Sequence, residues 1–212
     1  MTISAGYGAG GSVVAPAVAV LLGFTLLDRA MSSAVAAQLS VSVEEAECGV
    51  PKRSATDRFM SLLAPLAGGV LGAGTDAAPP EASVPVPNES QVFRDQAELI
   101  IRSALPAGAV VLGRAGAAVL RAEPGVLRVR LFGPVAACIV QAQRIEHVTD
   151  QVARQRLHAV NQARRLYVQR LYQIDIDDPS LFHLQIDTTA IPLDACAELI
   201  AAAYHQLVQA KA

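Results

Sequence analysis

Short apolar runs, each ended by Gly or Asp and each followed by a helical stretch, constrain this fold more than any other feature. Thr2–Ala5 (TISA) stops at Gly6, Phe24–Leu27 (FTLL) at Asp28, and Ala109–Leu112 (AVVL) at Gly113-Arg114, while Leu181–Asp187 (LFHLQID) ends in its own Asp. Runs this short and this apolar read as strands buried on both faces, as parallel strands are. Val126–Phe132 (VLRVRLF) alternates more and reads as a fifth strand with one less buried face. Between them lie predicted helices. The first starts at Ser12, with Pro16 in its first turn and Gly23 as its stop. Others are Ala30–Glu47, Gln91–Ser103 capped by Asn88 or Ser90, Pro134–His147, Thr149–Leu171 capped by Thr149, and Leu193–Gln209. This alternation predicts a three-layer α/β/α fold with a mainly parallel five-stranded sheet. At 212 residues the chain reads as a single domain spanning 1–212.

In such sheets ligands bind beyond the carboxyl ends of the strands. Gly6–Ser12, Asp28, Arg114 and Asp187 all fall just past, or at, a predicted strand end. That coincidence marks them as site candidates.

Charge gives little direction to a partner. Charged residues make up 17% of the chain and the net charge is −2, so neither nucleic acid nor an anionic membrane is expected. Lys52 and Lys211 are the only lysines. Cys48, Cys138 and Cys196 are odd in number and lack CxxC spacing, so they read as reduced packing thiols and not as a disulfide framework or zinc site. Val13–Leu27 is shorter than the roughly 20 residues a membrane span needs, and it contains Pro16 and Gly23. Ala34-Val35-Ala36 resembles a signal-peptide cleavage site, but no Lys or Arg precedes the apolar run. A cytoplasmic protein is expected, with its oligomeric state left open.

The stretch GYGAGGSV, residues 6–13, packs four glycines into six positions between the first strand and the first helix. Glycines there let successive backbone N–H groups converge on a phosphate, helped by the dipole of the helix that follows. Gly6 and Gly11 have the spacing of GxxxxGK[ST], but Ser12 stands at the Lys position and Val13 at the hydroxyl position. On the loop alone, a phosphate cradle and a ligand-free glycine turn are both open readings.

Several stretches, taken in order, resemble the cytidylate kinase-like family of P-loop nucleoside-monophosphate kinases. TISAGYGAGGSVVAPAVAVLLGFTLLDR is similar to that family's opening, and the Pro-rich segment before FRDQAELIIRSAL, with VVLGRAGAAVL, to its middle. VLRVRLFGPVAACIVQAQRI and QARRLYVQRLYQIDIDDPSLFHLQIDTTAI are similar to its C-terminal third. The resemblance implies a P-loop kinase fold, ATP as donor, Mg²⁺ as cofactor and a (deoxy)CMP-type acceptor. It implies that Gly6, Gly8, Gly10, Gly11 and Ser12 form the donor-phosphate cradle, and that Arg114 holds the acceptor phosphate in the planar geometry that suits Arg. Asp28 and Arg29 would lie near the acceptor, although Asp28 is equally placed to cap the helix from Ala30. Residues 134–178 would be a helical lid, bringing Arg144, Arg164 and Arg165 toward the phosphates, and the Gly/Pro-rich 64–90 would lie near the acceptor. The competing reading of those arginines is a solvated helix face.

Two departures weaken the case for catalysis. The family often places Arg after its paired glycines, where this chain has Ser12, and its lid carries Asp-x-x-Arg, where this chain has Asn161 and Arg164. A phosphoryl-transferring kinase and a degenerate nucleotide- or protein-binding member are therefore both retained. Asp175, Asp177 and Asp178 read as a turn before the last strand and not as metal ligands. His147, His158, His183 and His205 share no spacing with carboxylates or cysteines.

Overall fold

A computed structural model describes residues 1–28 and 89–210. Five strands form one sheet: β1 (Thr2–Ala5), β2 (Thr25–Leu27), β3 (Ala109–Leu112), β4 (Arg128–Phe132) and β5 (Leu184–Asp187). Their order is β2-β3-β1-β4-β5 and every pairing is parallel. The strands are buried on both faces, as the apolar runs predict. On β3, Val110 packs into one hydrophobic cluster and Val111 into another, and both are fully buried. Each such side chain contributes about 1.5–3 kcal/mol of hydrophobic stabilisation.

The helices are α1 (Gly11–Leu22), α2 (Glu89–Ala104), α3 (Gly116–Val119), α4 (Val135–Glu146), α5 (Asp150–Tyr172) and α6 (Leu193–Gln209). Val14 and Val18 of α1 and Cys196 and Ile200 of α6 share the cluster that holds Val110. Ile101 of α2 and Val119 of α3 share the cluster that holds Val111. These two clusters, one on each face of the sheet, make the three layers. Cys138, Ile139 and Ala142 of α4 and Ala153 and Leu157 of α5 join the α1 side.

Three sequence expectations are corrected. Helix α1 begins at Gly11, so Pro16 is its sixth residue and lies in the second turn. Having no N–H, Pro16 cannot donate to the Ser12 carbonyl, and one helical bond is lost. The β4 strand begins at Arg128, two residues later than the run starting at Val126, with Leu127 O accepting from Thr2 N of β1 at 2.9 Å just ahead of it. The last run begins not as a strand but as a 3-10 turn, Pro179–Leu181, capped by the Asp178 carboxylate on Ser180 N. Gly23 does end α1, and Thr149 does cap α5 by accepting from Val152 N. Ser90 lies inside α2, while Asn88, the predicted helix Ala30–Glu47, Arg29 and residues 64–88 lie outside the described residues.

Candidate functional site

The glycine loop leaves β1 at Ala5 and delivers the chain into α1 at Gly11. Its turn is closed by Ala9 N donating to the Gly6 carbonyl at 3.1 Å. Neighbouring elements hold its carbonyls: Gln141 Nε2 of α4 donates to Gly8 O at 2.9 Å, and Thr188 Oγ1, just past β5, donates to Ala9 O at 2.9 Å. Gly8 has φ +75°, and a Cβ there would overlap the Cys138 carbonyl of α4. Gly10 is the N-cap of α1 at φ +69°, and a Cβ there would come within 2.5 Å of the Leu193 side chain. Glycine is required at both places, by backbone conformation and by packing. Among the described residues none accepts a hydrogen bond from the N–H of Gly8, Gly10, Gly11 or Ser12. These donors, at the positive end of the α1 dipole, make an arrangement that suits an anion.

Helix α5 closes on this loop. Asn161 Oδ1 accepts from Tyr7 N at 2.9 Å, and one turn later Arg164 Nη1 donates to the Ala5 carbonyl at 2.7 Å. A spacing of three puts both on one helix face. The Arg164 guanidinium thus stands at the mouth of a loop whose own sequence supplies no cation. Further along α5, burial pushes the Tyr167 phenol up from its ordinary pKa, while the positive charge of Arg114 acts in the opposite direction. Arg114 follows β3, which pairs directly with β1, and its backbone is left-handed at φ 56°. Loop, Arg164 and Arg114 therefore share one region at the carboxyl edge of the sheet.

A contact that sequence reasoning missed ties the loop to the base of the α4–α5 pair. Tyr7 OH donates to Glu146 Oε2 at 2.7 Å, and Arg156 Nη1 donates to the same oxygen at 2.8 Å. Burial and then the Glu146 carboxylate push the Tyr7 phenol up to about 12. Glu146 in turn raises the pKa of Arg156. The only signal in the sequence is a large aromatic, Tyr7, among glycines. Gln141 and Thr188 were likewise unmarked.

The other expected residues are more dispersed. Arg165 donates from Nε and Nη2 to Asp177 Oδ2 at 3.1 and 2.6 Å, and Arg130 also pairs with Asp177. Burial pushes the Asp177 carboxyl up, but the two guanidiniums outweigh it and hold it below the usual carboxylate range. Arg165 is thereby engaged with the turn before β5, where Asp175 and Asp178 accept backbone N–H bonds as turn residues do. Arg144 sits exposed in the last turn of α4 and is not among the side chains bonded to the loop. Asp28 lies just past β2, at the edge of the sheet. Asp187 ends β5, where its Oδ1 accepts from Thr189 N and Oγ1. Among the described residues no three His, Cys, Asp or Glu side chains come together as a metal would need, and no helix is long and apolar enough to cross a membrane.

A five-stranded parallel sheet in this order, with a glycine loop between β1 and α1 and an arginine-bearing helix over it, makes a kinase-like α/β architecture. The model of the cytidylate kinase-like family matches residues 1–190, and the chain belongs to that family. No curated protein matches the sequence. Among solved structures, an uncharacterized protein from Eubacterium ventriosum shares the fold, with a TM-score of 0.62 and 14% identity over 96% of each chain. A shikimate kinase from Acinetobacter baumannii, solved in complex with shikimate, aligns at a TM-score of 0.44 and 16% identity, covering 99% of this chain and 93% of that one.

Proposed function

We propose that this chain is a nucleotide-binding member of the family, holding the phosphates of ATP in the glycine loop without transferring one of them. The observation that carries the reading is the Arg164–Ala5 hydrogen bond, which brings a guanidinium to the loop from the lid helix. Loop N–H groups supply the cradle and Arg164 the charge, a pairing of fixed donors with a planar cation that suits phosphate. The parts that move a phosphoryl group are thinner. Ser12 and Val13 occupy the positions of the cation and the metal-binding hydroxyl. Asn161, neutral, spends its Oδ1 on Tyr7 N. Phosphoryl transfer depends on charge neutralisation as much as on position, so losing these groups removes transition-state stabilisation before it removes binding.

A second reading, transfer from ATP to a (deoxy)CMP-type acceptor, is favoured by one observation. Arg114 stands just past the strand next to the loop strand, where an acceptor phosphate would meet the donor. In that reading Arg114 and Arg164 are catalytic, Asp28 and Arg29 line the acceptor side, and Arg144 and Arg165 must swing in from the surface.

Calorimetric titration with ATP and with CMP, followed by an ADP-release assay, separates the two. ATP binding with ADP release no faster than the protein-free background supports the first reading. CMP-dependent ADP release that falls on Arg114→Ala supports the second. No binding of either nucleotide contradicts both.

A further inference from the structure

The donor groups around the loop do not fit a magnesium ion. Loops of this type bring the metal to the phosphates through a hydroxyl directly after the cation position, and Mg²⁺ demands hard oxygen ligands in near-octahedral array. Position 13 offers only the Val13 isopropyl group, 41% exposed at the start of α1. The Asn161 amide oxygen is already occupied by Tyr7 N at 2.9 Å. Asp28 stands aside: it follows β2, two strands from β1 in the sheet. At ordinary strand spacing that is about 9–10 Å. Asp187 ends β5 beside Thr188, which reaches the loop at Ala9 O, but its Oδ1 is engaged by the N–H and hydroxyl of Thr189, at 2.9 and 2.6 Å.

We infer that the loop takes its nucleotide free of magnesium. The inference rests on the phosphate-binding reading above and specifies the ligand of that same site. Four backbone N–H donors and the Arg164 guanidinium at the loop attract negative charge, and the Ser12 hydroxyl stands one position before the place a metal-binding hydroxyl takes. Magnesium on the phosphates neutralises part of that charge, and neither the Val13 side chain nor the occupied Asn161 oxygen offers it a ligand in return. The preferred ligand is therefore the bare polyphosphate anion, in contrast to a site that needs the metal complex.

The test is isothermal titration of the full chain with ATP, once in EDTA and once in excess MgCl₂. The expected result is an affinity in EDTA equal to or tighter than that in MgCl₂. Magnesium tightening the binding more than threefold would overturn the inference while leaving the nucleotide reading intact. Absence of binding in both buffers would overturn the nucleotide reading and this inference with it. A Val13→Thr variant restores the hydroxyl at nearly constant volume on an exposed position. It is expected to acquire magnesium-dependent tightening. A variant with the parent's indifference to magnesium would contradict the assignment of position 13 as the missing ligand.

Discussion

Arg164 and Ala5, 159 residues apart in the chain, are joined by a 2.7 Å hydrogen bond from a guanidinium to a backbone carbonyl. Through it, α5 touches the residue directly before the glycine loop. The N–H donors of the loop thus lie beside a positive charge that comes from a distant element.

Gly8→Ala tests how tightly that loop is clamped. The added methyl would overlap the Cys138 carbonyl, and the backbone would hold alanine at φ +75°. Backbone cannot yield as a side chain can, so a loss of about 2–4 kcal/mol in unfolding free energy is expected. Gly23→Ala is the control, since Gly23 has φ +65° and open space around it. There only the left-handed conformation is penalised, at about 1–2 kcal/mol. Urea denaturation of both variants reads the difference.

Tyr7→Phe removes the phenol that bridges the loop to Glu146. Glu146 keeps Arg156, so the expected cost is about 1–2 kcal/mol, at the modest end for a hydrogen bond to a charged group. The pH dependence carries a sharper signature. The folded pKa of Tyr7 is pushed up to about 12 from an ordinary 10.0. Below pH 10 the phenol is protonated in both states and its contribution is complete. As pH rises from 10 toward 12 the unfolded chain ionises first, so that contribution is lost. The parent should lose more stability than Tyr7→Phe between pH 9 and 11.5, as measured by urea midpoints (other tyrosines affect both chains alike). Parallel losses would contradict the Tyr7–Glu146 contact.

Pro16→Ala should stabilise the protein. In the second turn of α1, proline cannot donate to the Ser12 carbonyl, and its ring crowds that oxygen. Restoring the N–H is expected to contribute about 1–3 kcal/mol, seen as a higher thermal midpoint. An unchanged or lower midpoint would show that the helix is adapted to the proline.

The strands were legible because burial on both faces leaves a mark that survives in a single sequence. AVVL is apolar throughout since Val110 and Val111 face opposite layers. The glycine loop was legible because its glycines are required where it packs on α4 and α6. The arginines of α5 were visible in the sequence as a set, but their individual partners were not. Arg164 and Arg165 differ by one position, about 100° around a helix, and only the docking of α5 sends one to Ala5 and the other to Asp177. The Tyr7–Glu146–Arg156 cluster joins residues 139 and 10 positions apart, and no periodicity or spacing marks such a pair. Pro16 was misplaced because even a helix starting at Ser12 puts it fifth, already past a first turn of about 3.6 residues, and the start at Gly11 makes it sixth.

The most direct test of the central assignment is calorimetric titration of ATP into the parent chain and into Arg164→Ala. A hydrogen bond to a charged group is worth about 1.5–3 kcal/mol, which corresponds to roughly a 10- to 100-fold change in affinity. The expected outcome is measurable ATP binding by the parent and at least tenfold weaker binding by the variant, with the fold intact by circular dichroism. Equal affinities, or no binding by the parent, would contradict the assignment of the loop and Arg164 as the phosphate site.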